Sequence, residues 1–312
     1  MYLKVNFEIY DGCNAACPWC STGALNIGGR EGVSYISTAR FREALCELKR
    51  KQLITKETIV SLYNYGEPFL HPNFEEILHI CCEENVYFTI STNASVYKHF
   101  ASPDVCKYLK HMCFSMQGFS QASYTRIHGF NFDKILKNIE TFVRDLREYG
   151  YSGGCHISYH VYQFNLLEIY DAALFAVNNR IMIIPLYAYF ADFKVFEKYM
   201  SGTLPYKQLE KISKELMLHH IDDFRKMRPK TWVCPEPYDT LTINSDCDIL
   251  TCCVIDKEVP CFSVGNLFKL SKEEIARLKQ TQEICNRCRE LDIDFLTRNP
   301  RFFPIIEKTQ ST

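Results

Sequence analysis

Cys13-Asn14-Ala15-Ala16-Cys17-Pro18-Trp19-Cys20 places three thiols on one short stretch with the spacing CxxxCxxC. The residues before it, Leu3-Lys4-Val5-Asn6-Phe7-Glu8-Ile9-Tyr10, alternate apolar and polar side chains, the period of a β-strand. Asp11 and Gly12 end that strand, so the thiols lie on the loop at its tip. Three closely spaced thiolates can hold three irons of a cubane cluster and leave the fourth without a protein ligand, which makes it a reaction site. Structural zinc prefers CxxC pairs that total four ligands. The loop by itself leaves iron–sulfur and zinc both open.

Downstream, strand and helix patterns alternate. Strands are expected at 58–64, 86–91, 111–116, 155–161 and 181–188. Helices are expected at 36–51, 73–84, 102–109, 132–149, 165–178 and 205–220. Such alternation predicts parallel pairing. Six β/α units make an α/β fold with a partial (β/α)6 TIM-like barrel, whose working residues gather at the C-terminal strand ends.

With 312 residues there is ample core, and the formal net charge of −1 gives no basic field for nucleic acid. Lys49-Arg50-Lys51, the densest basic run, closes a predicted helix. The N-terminus carries Lys4, Asn6 and Glu8 where a signal peptide needs an apolar core. The apolar stretch from Ile181 to Phe190 contains Pro185 and is too short to span a bilayer, so a cytoplasmic protein without membrane contact is expected. Sixteen cysteines without an export signal argue for ligands rather than a disulfide framework. Cys46, Cys81, Cys82, Cys106, Cys113 and Cys155 fall inside predicted elements without partner spacing and read as buried small hydrophobes.

Composition shifts near Met227-Arg228-Pro229-Lys230, which divides the chain into 1–225, 231–295 and a tail, 296–312. The second part holds Cys234, then two short strands joined at Asp246-Cys247-Asp248, then Cys252-Cys253. Val264-Gly265-Asn266-Leu267 and a helix at 271–281 follow, and Cys285-Asn286-Arg287-Cys288 closes the set. Taken alone, C…CC…CxxC is a zinc ribbon or a four-thiolate iron–sulfur site.

The CxxxCxxC loop, with Trp19 just before its last cysteine, resembles the signature of the radical S-adenosylmethionine (SAM) superfamily. The resemblance implies a [4Fe–4S] cluster on Cys13, Cys17 and Cys20 whose open iron chelates SAM. It also implies reductive cleavage of SAM to a 5′-deoxyadenosyl radical that abstracts a substrate hydrogen. Asn64-Tyr65-Gly66-Glu67-Pro68 resembles the GGEP motif that positions the SAM amino group, with Tyr65 in place of the first glycine. Ser91-Thr92-Asn93 is similar to the polar strand end that faces SAM. Ser115-Met116-Gln117-Gly118 and Arg126 look like the segment whose serine and arginine contact SAM, with Gln117 in place of an aspartate. Asn165 resembles a further family asparagine. Arg126 suits a carboxylate because its fork donates two parallel hydrogen bonds, although an exposed helix arginine reads the same way.

The second cysteine group resembles Twitch, the short form of the SPASM auxiliary-cluster domain. The pattern implies a second [4Fe–4S] cluster on Cys234, Cys252, Cys285 and Cys288, with Cys253 or Cys261 as substitutes for Cys252. Cys247 stands where the pattern has the hairpin glycine. A saturated cluster still moves electrons. The expected reaction is therefore a two-electron oxidation with the auxiliary cluster as first acceptor, as in family precedents acting on an aminocyclitol, on sulfatases and on ribosomal peptides. The implied partners are a flavodoxin- or ferredoxin-type electron donor and a substrate. Because the first strand begins almost at Met1, a small molecule such as a sugar or cyclitol alcohol is expected ahead of a peptide. His160 and Asp192, at predicted strand ends, are candidate proton acceptors, with a core or surface role expected ahead of that for each. Trp19, Tyr63, Tyr65, Tyr162, Tyr187, Tyr189 and Phe190 sit near strand ends, where they stack on a ring or, for most of them, fill the barrel.

Overall fold

The computed structural model describes residues 1–29, 32–190, 192–218, 221–255, 259 and 262–298. Cys261 and the stretch Arg301-Phe302-Phe303-Pro304 lie outside these residues. Val5, Phe7 and Ile9 are wholly buried, and the intervening Asn6 and Glu8 are buried as well. A strand buried on both faces belongs inside a sheet, and β1 (Lys4–Phe7) has a parallel neighbour on each side. On one side run β2 (Ile59–Ser61), β3 (Tyr87–Thr92), β4 (Leu109–Met116), β5 (Gly154–Val161) and β6 (Met182–Tyr187), each parallel to the last. Helices make the crossovers: α1 (Ser21–Ile27), α2 (Thr38–Arg50), α3 (Phe74–Glu83), α4 (Pro103–Tyr108), α5 (Gln121–Ile127), α6 (Phe132–Glu148) and α7 (Ile169–Asn178). This is the expected partial barrel of parallel strands.

After β6 come α8 (Phe193–Met200), α9 (Tyr206–Ser213), α10 (Ile221–Lys226) and α11 (Glu236–Asp239). On the free side of β1 lies β7 (Thr240–Ile243), with Val5 opposite Leu241 and Phe7 opposite Ile243. Two antiparallel strands, β8 (Asp248–Leu250) and β9 (Ser263–Asn266), extend the same sheet. The sheet thus crosses the boundary expected near 227–230. α12 (Lys272–Gln280), α13 (Glu283–Glu290) and α14 (Ile293–Arg298) complete the described chain.

Helix starts follow local chemistry. Ser37, Ser102, Ser120 and Asn131 each accept a backbone N–H of the first turn, and Ser271 with Glu274 forms a capping box. The strand expected at 58–64 is shorter because the chain leaves the ladder, and amides beyond it bond elsewhere: Tyr65 N–H to Glu8 Oε1 at 3.0 Å and Glu67 N–H to the Gly12 carbonyl at 2.7 Å. The helix expected at 205–220 ends at Ser213. Cys81 and Cys113 are buried and Cys82, Cys106 and Cys155 partly so, but Cys46 is exposed on α2, a correction to its reading as a buried hydrophobe.

Cys247 explains the glycine of the resembling pattern. Its φ is +65°, in the left-handed region where a Cβ costs about 1 kcal/mol. The turn is held by Cys247 N–H to the Asn244 carbonyl at 3.0 Å and Leu267 N–H to the Cys247 carbonyl at 2.9 Å. The side chain is fully buried beside Arg40.

Phe142 on α6 anchors the outer layer: its ring centre lies 4.9 Å from Phe69, 5.0 Å from Tyr97, 5.9 Å from Phe100 and 6.1 Å from Phe114. Truncation here leaves a cavity that several rings border. Phe142→Ala is expected to destabilise the protein by about 3–5 kcal/mol, read as a lowered urea midpoint with an unchanged slope.

Candidate active site

The cysteine loop is clamped from three sides. Asn26 Nδ2, on α1, donates to the Cys13 and Ala15 carbonyls, both at 2.7 Å. Asn93 Nδ2, just past β3, donates to Asn14 Oδ1 at 3.1 Å, and Asn14 Nδ2 donates to Ser95 Oγ at 2.8 Å. The loop after β2 approaches from the third side. There a Cβ on Gly66 would stand 1.8 Å from the Tyr10 carbonyl oxygen, so that position accepts glycine alone.

Cys13, Cys17 and Cys20 open into a cavity of about 440 Å3 over the C-terminal strand ends. Trp19, Gly66, Glu67, Ser91, Asn93 and Ser115 line it too. All seven aromatics named above line this cavity, and several also fill the core as expected: Tyr162 and Tyr187 are buried in it and Tyr189 and Phe190 pack against it. Burial pushes the Cys13 thiol up to about 11 and those of Cys17 and Cys20 upward as well. Converging thiols that resist ionisation need a cation to become ligands. Among the described residues the three are not a group whose ligand atoms all lie within 4.8 Å of one another. A single zinc with Zn–S bonds of about 2.3 Å would require closer sulfurs, whereas a cube of irons accommodates wider ones. Three residues of the lining also carry a buried polar atom without a partner: Trp19 (Nε1), Asn64 (Nδ2) and His128 (Nδ1). The site therefore fits a cluster with a polar ligand beside it.

Several motif residues act on their neighbours. Glu67 is fully enclosed, and burial lifts its carboxyl to about 7. Its Oε1 accepts Thr92 Oγ1–H at 2.8 Å and Phe69 N–H at 3.2 Å, and its Oε2 accepts Asn93 N–H at 2.7 Å. It thereby ties the Gly66 loop to the end of β3. Pro68 starts a short 3-10 turn and is buried outside the cavity wall. Asn165 is wholly buried: it donates to the Gln117 and His160 carbonyls at 3.0 and 2.9 Å, and its Oδ1 accepts Tyr162 N–H at 2.8 Å. Arg126 also stands outside the wall, with Nη2 on Glu215 Oε1 at 2.6 Å and its guanidinium 4.2 Å above Phe164.

Gln117 occupies the cavity wall in a neutral chain, accepting Tyr162 O–H at 2.7 Å and bonding His160 Nδ1 at 2.7 Å. Burial holds His160 down at about 4 and His128 at about 3, so both are uncharged at neutral pH. Asp192 instead caps α8, accepting the Lys194 and Val195 amides at 2.7 and 3.2 Å.

Cys234, Cys252, Cys285 and Cys288 line a second, smaller pocket. The spacing of Cys285 and Cys288 puts both on one face of α13. Burial raises the thiols of Cys234 and Cys288. Beneath the pocket, Lys279 is 0 % exposed, its Nζ donating to the Thr251 and Leu250 carbonyls at 3.1 and 3.5 Å. A buried ammonium on carbonyls alone is costly, and a four-thiolate cluster, which is net anionic, would offset it. The second donor set therefore also fits a cluster. Cys253, whose sulfur lies beside that of Cys252, lines the first cavity, so one wall serves both pockets. Tyr65 O–H donates to the Cys253 carbonyl at 2.5 Å. Sequence reasoning missed this strut, Lys279, Glu236 and Arg298, because none belongs to a recognisable spacing.

The chain belongs to the radical SAM superfamily, whose family model matches residues 7–176. Membership makes it an enzyme that uses a [4Fe–4S] cluster and SAM. Among solved structures, Streptococcus suis SuiB bound to the precursor peptide SuiA is similar at 16 % identity and a TM-score of 0.59. That match covers 88 % of this chain and 64 % of SuiB, so the chain spans less than two thirds of that protein's length. Native anSMEcpe with bound AdoMet is similar at 12 % identity and a TM-score of 0.58, covering 94 % of this chain and 96 % of that one. The same protein bound to AdoMet and the Cp18Cys peptide matches at 14 % identity and a TM-score of 0.52, over 95 % of this chain and 96 % of that one. At these identities the likeness is one of fold. No curated protein matches the sequence. No helix among the described residues is long and apolar enough to cross a membrane.

Gly66→Ala must displace the Tyr10 carbonyl or the Gly66 loop. A displacement of about 1 Å at a reacting centre costs about a hundredfold in rate. The expected result is a comparable fall in 5′-deoxyadenosine formation by reduced, iron-loaded protein, measured by chromatography of quenched reactions.

Proposed function

We propose that the protein is a radical SAM oxidoreductase that oxidises a neutral polar small molecule, such as a sugar or cyclitol alcohol. In this reading the second cysteine group holds an auxiliary [4Fe–4S] cluster as first electron acceptor, and a flavodoxin- or ferredoxin-type protein supplies reducing electrons. Bound at the first cluster, SAM supplies the radical that removes the substrate hydrogen. The observation that carries the reading is a cavity that holds the first three cysteines and Cys253 in its wall and that, among the described residues, has no cationic side chain in its lining. Among the described residues, Glu67 is its one acidic lining residue and is held by three donors, and no lysine or arginine lines it. A charged substrate would lose hydration there without a counter-charge. Aromatic walls and the polar lining of Asn64, Ser91, Asn93 and Ser115 suit a ring bearing hydroxyls. The chain orients such a ring through Tyr162, Gln117 and His160, whose hydrogen bonds fix one another.

A peptide substrate is the second reading. It rests on the peptides bound to the similar SuiB and anSMEcpe folds, and on β6, the outermost strand of the sheet, whose edge can take an extended segment.

Anaerobically purified, iron-loaded protein is expected to carry about eight irons and about eight sulfides per chain and to release 5′-deoxyadenosine on reduction. Two zincs and no sulfide would reject the reading. Cys252→Ala should keep SAM cleavage and abolish oxidised product, as followed by mass spectrometry across a panel of polyols and peptides. Loss of SAM cleavage in that variant, with the first cluster intact, would contradict the division of labour.

A further inference from the structure

Arg298, the last residue of α14, reaches back to the wall between the two cysteine groups. Its Nη1 lies 2.9 Å from Glu236 Oε1, and its Nη2 lies 3.0 Å from Cys253 Sγ and 3.6 Å from Cys252 Sγ. Glu236, Cys252 and Cys253 themselves form a cluster whose ligand atoms all lie within 4.8 Å of one another. Three such groups would suit a single metal ion, but the guanidinium already touches all three and fills the role of the cation. Glu236 is nearly inaccessible, at 5 % side-chain exposure, so the pair is poorly screened by salt.

We propose that Arg298, opposed by Glu236, sets the reduction potential of the auxiliary cluster and holds it high enough to accept an electron from the substrate radical. The proposal rests on the auxiliary-cluster reading above. Reduction adds one negative charge to a cluster that is already anionic. A permanent cation donating N–H bonds to its sulfur ligand stabilises the reduced form, and a carboxylate beside the same sulfur destabilises it. Arg298 contacts both sulfurs, so the effect holds whether Cys252 or Cys253 is the ligand. In the step served, the substrate radical loses one electron and releases one proton to water as its carbon–oxygen double bond forms. The cluster gains that electron, and a ferredoxin-type protein reoxidises it.

A purely structural role, tying α14 to α11, would leave the potential unmoved, so the potential is the readout. Full-length, two-cluster protein is titrated anaerobically with EPR detection, SAM being present to mark the signal of the first cluster. Arg298→Gln is expected to shift the oxidised-to-reduced ratio of the auxiliary cluster at fixed poise by at least about tenfold toward the oxidised form. For one electron that is about 59 mV to lower potential. Glu236→Gln is expected to shift it the opposite way, and Arg298→Lys to stay near the parent. Unchanged midpoints, or both glutamine variants moving in one direction, overturn the proposal. If Arg298→Gln fails to retain the cluster, Glu236→Gln decides alone, and no upward shift overturns it. About four irons per chain in the parent protein would instead overturn the auxiliary-cluster reading, and this proposal with it.

Discussion

The pairing of β1 on both sides governs where the chemistry can be. β1 runs into the Cys13 loop at its tip, β2 on one flank runs into the Gly66 loop, and β7 on the other flank leads through β8 to Cys252. Three parallel strands in register bring the Cys13 loop, the Gly66 loop and the 244–247 turn to one end of the sheet, and β8 then runs back antiparallel toward Cys252. The register is set by burial, since β1 is enclosed on both faces and a one-residue slip would exchange Val5 and Phe7 for Asn6 and Glu8. The polar face serves the site directly. Asn6 Nδ2 donates to Thr242 Oγ1 at 3.4 Å, and Glu8 accepts the Tyr65 amide at 3.0 Å.

Much of this was legible because apolar periodicity and burial are the same quantity seen twice. The long helices α2, α3 and α6 start and stop within two residues of their expected bounds, each with a buried stripe. Several short helices were not legible. α1, α5 and α13 are seven to eight residues long, and at that length tertiary contacts outweigh periodicity. Sequence reading assigns no element to the Cys285-Asn286-Arg287-Cys288 stretch, yet a helix presents its two thiols on one face. The aromatics near strand ends were legible as a set. Their role as walls depends on how six strands close, which no local pattern encodes.

The motif residues divide by a physical criterion that sequence resemblance does not supply. Groups needed for their backbone or their thiol, Gly66 and the three cysteines, reach the cavity. Asn165 and Arg126 are drawn into the scaffold, Asn165 satisfying three backbone groups and Arg126 lying on Glu215 and Phe164, whereas Glu67 and Asn93 brace the scaffold and line the cavity as well. A buried polar side chain left unpaired is costly, so a folded loop uses such residues first and leaves few free for a ligand. The free ones here are Trp19, Asn64 and His128, of which sequence reading singled out Trp19 alone.

Tyr65 shows how a departure from a motif can acquire a structural purpose. A glycine at that position would have no side chain to span the wall. The tyrosine hydroxyl instead donates to the Cys253 carbonyl while its own amide donates to Glu8 Oε1. The loop beside the first cysteine group is thus hydrogen-bonded to the backbone between the second group's Cys252 and the cavity. Cys253 and Thr297 line the first cavity, Cys252 and Arg298 line the second pocket, and Thr297 lines both. A shift of either group therefore moves a wall of the other. Because the hairpin also shares the barrel's sheet through β7, the two groups are fixed relative to one another by backbone hydrogen bonds as well as by side chains. In the proposed two-cluster enzyme, electron transfer would depend steeply on the separation of the two groups, and this chain makes that separation a property of one sheet.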